Sequence, residues 1–149
     1  MKFKRQGGAE IVEFALVLPI LFALIFTVMQ FGWLLFNHVV LTAAASSGAR
    51  ILASQRGYPA PYADTRTAVL SAASLLPNLQ SALQIGMNVN GASCQSDALC
   101  TAALGSATSA PAPGTQASVS LDYRFTPMFG SWFGMMPATL RASMAESVQ

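Results

Sequence analysis

Charge is what this chain has least of. Asp, Glu, Lys and Arg make up 9% of its 149 residues, against 53% hydrophobic, where a soluble domain averages about 25% charged. Lysine is confined to Lys2 and Lys4, which with Arg5 form a basic head; beyond Gly8, five arginines face six acids. A nucleic-acid-binding surface needs basic residues gathered on a folded face, and this nearly neutral body has none to gather. Histidine is as scarce. His38 is the only one, so no serine in the body has a histidine and an acid available to it, and neither a metal-ligand cluster nor a glycine-rich phosphate loop is present. The expectation is a chain that is not an enzyme, with no cofactor and no small-molecule substrate. Cys94 and Cys100 are the only cysteines. Without partnering histidines they make a poor zinc site, and their spacing is wider than a C-x-x-C redox pair.

What the chain does have is one long apolar run. From Phe14 to Phe36 it reads FALVLPILFALIFTVMQFGWLLF, with Thr27 and Gln30 the only polar side chains. At about 1.5 Å per residue this run extends roughly 35 Å, enough for a bilayer core of about 30 Å. A chain this short has too little other mass to bury such a helix, so the run is read as a membrane span. Lys2, Lys4 and Arg5 precede it, and the first basic residue after it is Arg50. That asymmetry predicts a cytoplasmic N-terminus and an exported body. Trp33 and Phe36 suit the interfacial exit, with Asn37 and His38 entering the headgroup region. Pro19 removes a backbone donor, which predicts that the first turns of the helix are kinked or loosened.

The head of the run departs from an ordinary secretory signal, whose apolar stretch is about 7 to 15 residues long and ends at a small-residue cleavage site. Here the run is longer and opens on Glu13, with Glu10 three positions earlier. A carboxylate at a helix N-terminus gains about 0.3 to 1 kcal/mol from the dipole, yet burial in hydrocarbon costs several times that. Glu13 is therefore expected to need a partner.

The segment Gly8-Ala9-Glu10-Ile11-Val12-Glu13-Phe14 followed by an apolar helix resembles the type III signal of type IV pilins and pseudopilins. More narrowly, GGAEIVEFALVLPILFALIFTVMQFGWLLF with the later AAASSGAR, Ala43 to Arg50, is similar to the TadE-like segment of Tad (Flp) tight-adherence pilus systems. The resemblance implies cleavage by prepilin peptidase between Gly8 and Ala9, which would make Glu13 the fifth residue of the mature chain. It also implies that Glu13 and Phe14 act in subunit assembly, with other pilin-like subunits and the pilus assembly platform as partners. Cleavage would free an amine at Ala9, able to neutralise the Glu13 of a neighbouring subunit.

These features set the expected organisation: a leader over 1–8, a membrane helix with its periplasmic extension over 9–56, and a small domain over 57–149. The fold class is α+β, with a second helix and an antiparallel sheet after the long one. Alanines after Asn37 continue the helix until Gly57 and Tyr58-Pro59-Ala60-Pro61 stop it. A second helix is expected from Asp64 as N-cap, with Val69, Leu70, Ala73 and Leu76 on one side and Pro77 ending it. Ile85, Met87 and Val89 alternate as in a half-buried strand, and residues 101–118 read as a loop. Val119, Leu121, Tyr123 and Phe125 share one face of a clear strand. A last strand is expected over about 138–148, where TLRASMAESV alternates but is also compatible with a helix. Between the two, Met128, Phe129, Trp132, Phe133, Met135 and Met136 form an apolar turn that either docks on a membrane or partner or closes the core. In the oxidising periplasm Cys94 and Cys100 are expected to pair.

The function these expectations favour is that of a pilin-like minor subunit at the bacterial inner membrane. Two alternatives stand beside it: a membrane scaffold that is not incorporated into the filament, and an anchored periplasmic binding module.

Overall fold

A single helix, α1 (Gly7–Ser54), is the spine of the molecule. The computed structural model describes residues 7–105, 114–128 and 138–148, with residues 7–10 described for their backbone. Lys2, Lys4, Arg5 and the apolar residues Phe129, Trp132, Phe133, Met135 and Met136 lie outside the described residues, as does 106–113 of the expected loop. After α1 come α2 (Pro61–Ala72), α3 (Leu79–Ala82), β1 (Leu83–Val89), β2 (Ala92–Ser93), α4 (Asp97–Leu104), β3 (Gln116–Arg124) and β4 (Thr139–Ser147). The fold is α+β: one long apolar N-terminal helix, further helices, and a four-stranded antiparallel sheet in the order β2-β1-β3-β4.

The period-two pattern decides which sheet face is covered. Ala117, Val119, Leu121 and Tyr123 of β3 are buried, and across the register stand Val89, Met87, Ile85 and Leu83 of β1. The opposite face pairs Ser118 with Asn88, Ser120 with Gly86 and Asp122 with Gln84, and carries an exposed ion pair between Arg141 and Asp122. Against the apolar face lie the far half of α1 (Val40, Leu41, Ala44, Ala45, Ala49, Leu52, Ala53) and, from α2, Val69 with Ala73 just beyond its end. Gly48 sits where α1, α2 and β3 meet. A Cβ there would lie 2.5 Å from Val69 Cγ2 and 3.4 Å from Val119 Cγ1, so the glycine is what lets the three elements close. The run of small residues in AAASSGAR is thus a packing surface within this chain.

Tyr123 is buried in the sheet, and its hydroxyl donates to the Pro77 carbonyl at 2.9 Å. Burial raises its pKa above the ordinary tyrosine value, partly opposed by a hydrogen bond with Thr126.

Three local expectations change. Asp64 does not cap α2, which starts three residues earlier at Pro61. Proline suits the first helical position because its missing N–H needs no partner there and its φ is already helical. That helix ends at Ala72, and Leu76 packs from a turn whose amide bonds the Ala73 carbonyl at 2.9 Å. The expected loop over 101–118 is shorter than it reads, since α4 runs to Leu104 and β3 begins at Gln116. Ser96 announces α4 by accepting from the Leu99 amide at 3.4 Å, an N-cap that the alanine- and serine-rich composition obscures.

Candidate functional site

The functional question centres on α1, whose two halves differ completely in environment. From Ile11 to Met29 the apolar side chains stand open on every side of the helix, Phe14, Ile20, Leu21, Leu24 and Val28 among them, and only Leu18 is half-buried. Its most apolar 18-residue window has a mean hydropathy of 2.6 and contains no buried residue. A buried core helix of a soluble protein is therefore excluded as an explanation for the long run. Each such side chain left in water forgoes about 1.5 to 3 kcal/mol. Over this stretch the total far exceeds the ~5 to 15 kcal/mol that holds a domain folded. The helix needs lipid or other helices around it.

Within that half the polar groups are few. Thr27 Oγ1 donates back to the Ala23 carbonyl at 2.7 Å, which satisfies it inside the helix. Pro19 lies in the helix interior, and α1 continues through it as one element. Glu13 is exposed, and among the described residues it makes no ion pair. The expected partner is thus not supplied from within the described part of this chain. Gly8 and Ala9 fall inside the first turns of α1, which begins at Gly7. Two glycines at a helix start make that turn inexpensive to unwind.

From Asn37 onward one side of the helix becomes the wall of the domain. Asn37 is buried, and its Nδ2 donates to the Trp33 carbonyl at 2.7 Å. Its Oδ1, both amide atoms of Gln30 and Thr65 Oγ1 are buried without a partner among the described residues. Trp33 stacks on Phe36 with ring centroids 5.8 Å apart, and its indole N–H donates to the Thr126 carbonyl at 3.4 Å. His38 is exposed on the helix surface. Of the AAASSGAR stretch, Ala44, Ala45, Gly48 and Ala49 are buried while Ala43 and Arg50 are exposed.

The cysteine pair forms a second organised element. Cys94 and Cys100 are joined in a disulfide and both are buried. Two residues place them. Asn90 and Gly91, at φ 53° and 82°, make the two-residue turn that joins β1 to β2, with Val89 paired to Ala92. Asn-Gly is the strongest short hairpin signal, and the sequence reading did not use it. Asp97 lies inside the disulfide loop, and its Oδ1 accepts from the amides of Tyr62 at 2.8 Å and Ala63 at 3.0 Å. No local pattern links those positions.

Fold and site together define a class: a protein with, among the described residues, one helix of membrane-spanning length, whose far half is built into a small disulfide-bonded α+β domain. Residues 8–50 match the model of the family described as TadE-like protein, which bears out the resemblance carried by GGAEIVEF and AAASSGAR. The match covers the exposed half of α1 and most of the buried half, and stops short of the sheet. No curated protein and no solved structure matches the chain.

Proposed function

We propose that this chain is a minor pilin-like subunit of a Tad-type pilus, held in the bacterial inner membrane by α1 and needed for pilus assembly. The observation that carries the reading is the coincidence, in one uninterrupted helix, of the TadE-like match with an exposed apolar half and a domain-building half. A TadE-like segment brings with it pilus-system partners and a membrane. In this reading the basic head keeps the N-terminus cytoplasmic, and the disulfide-bonded domain stands in the periplasm, where a disulfide persists.

Prepilin peptidase removes residues 1–8, cutting between Gly8 and Ala9, and so deletes every lysine of the chain. Loss of those anchors frees the helix to leave the bilayer. The new Ala9 amine of one subunit then neutralises Glu13 of the next, beside Phe14, in a bundle of apolar helices.

The test is deletion of this chain in its own host, with complementation. Loss of surface pili and of tight adherence, restored by the wild-type copy, is expected, together with a membrane form that begins at Ala9 by N-terminal sequencing. Undiminished piliation in the deletion strain would sink the assembly role. Sheared filaments that contain the chain place it in the pilus; retention in the membrane fraction with pili still dependent on it would move the reading to the scaffold.

A further inference from the structure

We infer that the β3–β4 end of the sheet is a second membrane contact, seated in the interfacial layer of the bilayer beside the exit of α1. The inference rests on the reading of α1 as a membrane span, and it adds where the domain sits.

The geometry starts from two fixed points along α1. A Cβ on Gly48 would touch Val119, and Trp33 donates to the carbonyl of Thr126. From Trp33 to Gly48 a helix rises about 22 Å at about 1.5 Å per residue. From Val119 to Thr126 a strand extends about 23 Å at about 3.3 Å per residue. The two lengths agree, so β3 runs alongside α1 and antiparallel to it, and delivers Thr126, Pro127 and Met128 to the level of Trp33. That level lies within the apolar run. A bilayer core takes about 20 residues of helix, so a span entered at Ile11 is left near Gln30, and one entered at Phe14 is left near Trp33. Under either placement the end of β3 meets the bilayer boundary, and the domain does not stand clear of it on a stalk.

The side chains at that level suit an interface. Met128 is 52% exposed, and Phe31, Leu35 and Phe36 of α1, each within a turn of Trp33, are exposed as well. Trp33 and Phe36 stack there, aromatic chemistry that favours the headgroup boundary. Of the described residues between Arg124 and Arg141, none is charged. Gln30, a turn nearer the N-terminus than Trp33, is only 8% exposed although Met29 and Phe31 on either side of it are open. Chain packing therefore reaches below Trp33 on one side of α1. Lipid is the fitting occupant because the end of β3 is brought alongside the anchor itself: under either placement of the span these residues are at the membrane surface. A second attachment point would fix the rotation of the domain about the α1 axis, and it would have to be broken before the subunit left the bilayer.

The test uses the full chain, disulfide intact, at one copy per nanodisc of phosphatidylethanolamine and phosphatidylglycerol. Met128→Cys, Leu21→Cys and Tyr58→Cys each receive a nitroxide; the native cysteines are paired and buried and none of the three sites lies in their loop, so only the introduced thiol is labelled. Power saturation with oxygen and with a water-soluble nickel chelate then reads depth. The expected order is Leu21 deep, Met128 shallow but lipid-exposed with an oxygen-to-nickel ratio several-fold above that of Tyr58, and Tyr58 aqueous. A Met128 label as aqueous as Tyr58, with Leu21 still deep, overturns the contact and leaves the anchor standing. A Met128 label shielded from both reagents overturns it in favour of protein cover, its own core or a second copy. An aqueous Leu21 removes the span itself, and the inference falls with it.

Discussion

Asp97 caps a helix to which it does not belong: its carboxylate accepts the Tyr62 amide at 2.8 Å and the Ala63 amide at 3.0 Å. Those are free donors of the first turn of α2, whose own N-cap residue, Ala60, provides no side-chain bond. Asp97 is at the same time the first residue of α4 and is bracketed by Cys94 and Cys100. The disulfide loop therefore carries the cap of α2. Asp97→Ala should lower stability by about 1 to 2 kcal/mol, as loss of an N-cap does. Asp97→Asn keeps an acceptor and should cost less. Urea unfolding of the full chain in detergent, followed by circular dichroism, reads the difference; equal losses for Ala and Asn would argue against capping.

Closing so short a loop constrains the unfolded chain by about 2 kcal/mol. Cys94→Ser with Cys100→Ser should destabilise the domain by roughly that amount, and the loss should be non-additive with Asp97→Ala because a loosened loop no longer holds the carboxylate in place. A double-mutant cycle measures this. Alkylation under non-reducing conditions should find no free thiol in wild-type protein isolated from its host.

Gly48 has no room for a side chain. Gly48→Ala sets a methyl 2.5 Å from Val69 Cγ2, and valine cannot swing away because its χ1 is restricted. The expected cost is about 1 to 3 kcal/mol. Val69→Ala in the same chain should return part of it, and thermal melts of the single and double variants would reveal an interaction of opposite sign to the single losses. Simple addition of the two penalties would show that the contact does not limit packing.

Tyr123 ties stability to alkaline pH. Burial holds its folded pKa above the ordinary value, so the fold binds the phenolic proton more tightly than the unfolded chain does. The contribution is fully present below the unfolded pKa and is lost as pH rises through the folded one. Stability should fall above about pH 10, and Tyr123→Phe should flatten that fall while costing about 1 kcal/mol at neutral pH through the bond lost to Pro77. An unchanged alkaline limb in the Phe variant would assign the pH dependence to other groups.

Glu13 is expected to act in assembly and not in insertion or processing. Glu13→Ala makes the segment more apolar, so membrane insertion should be at least as good, and the Gly8–Ala9 junction is untouched. The expected result is processed, stable protein with lost piliation. Normal piliation with full processing would refute the pairing of Glu13 with a neighbour's amine.

The parts of the fold legible in one dimension are those with a local period. The apolar run ending at Phe36 needs only length and hydropathy, and the buried face Val119, Leu121, Tyr123 and Phe125 needs only alternation. The cysteine pair needed only proximity and an oxidising compartment. Helix starts were harder. Asp64 looked like a cap because it has the right side chain, and it lies in the first turn of α2 because Pro61 is a better opening residue and the acceptor comes from Asp97. Asn90-Gly91 was a legible turn that carried its own signal in the residue types.

Other features exist only once the elements are packed. Nothing in AAASSGAR distinguishes a glycine that breaks a helix from one that admits Val69 and Val119, since the difference lies in what approaches it. The bond from Trp33 to Thr126 joins residues 93 positions apart, and it exists because β3 is laid antiparallel along α1. Local sequence determines which faces are apolar, because side-chain direction repeats with the backbone. Where one face meets another is decided by the packing of whole elements, and that is what sets the domain at the level of Trp33 on its helix.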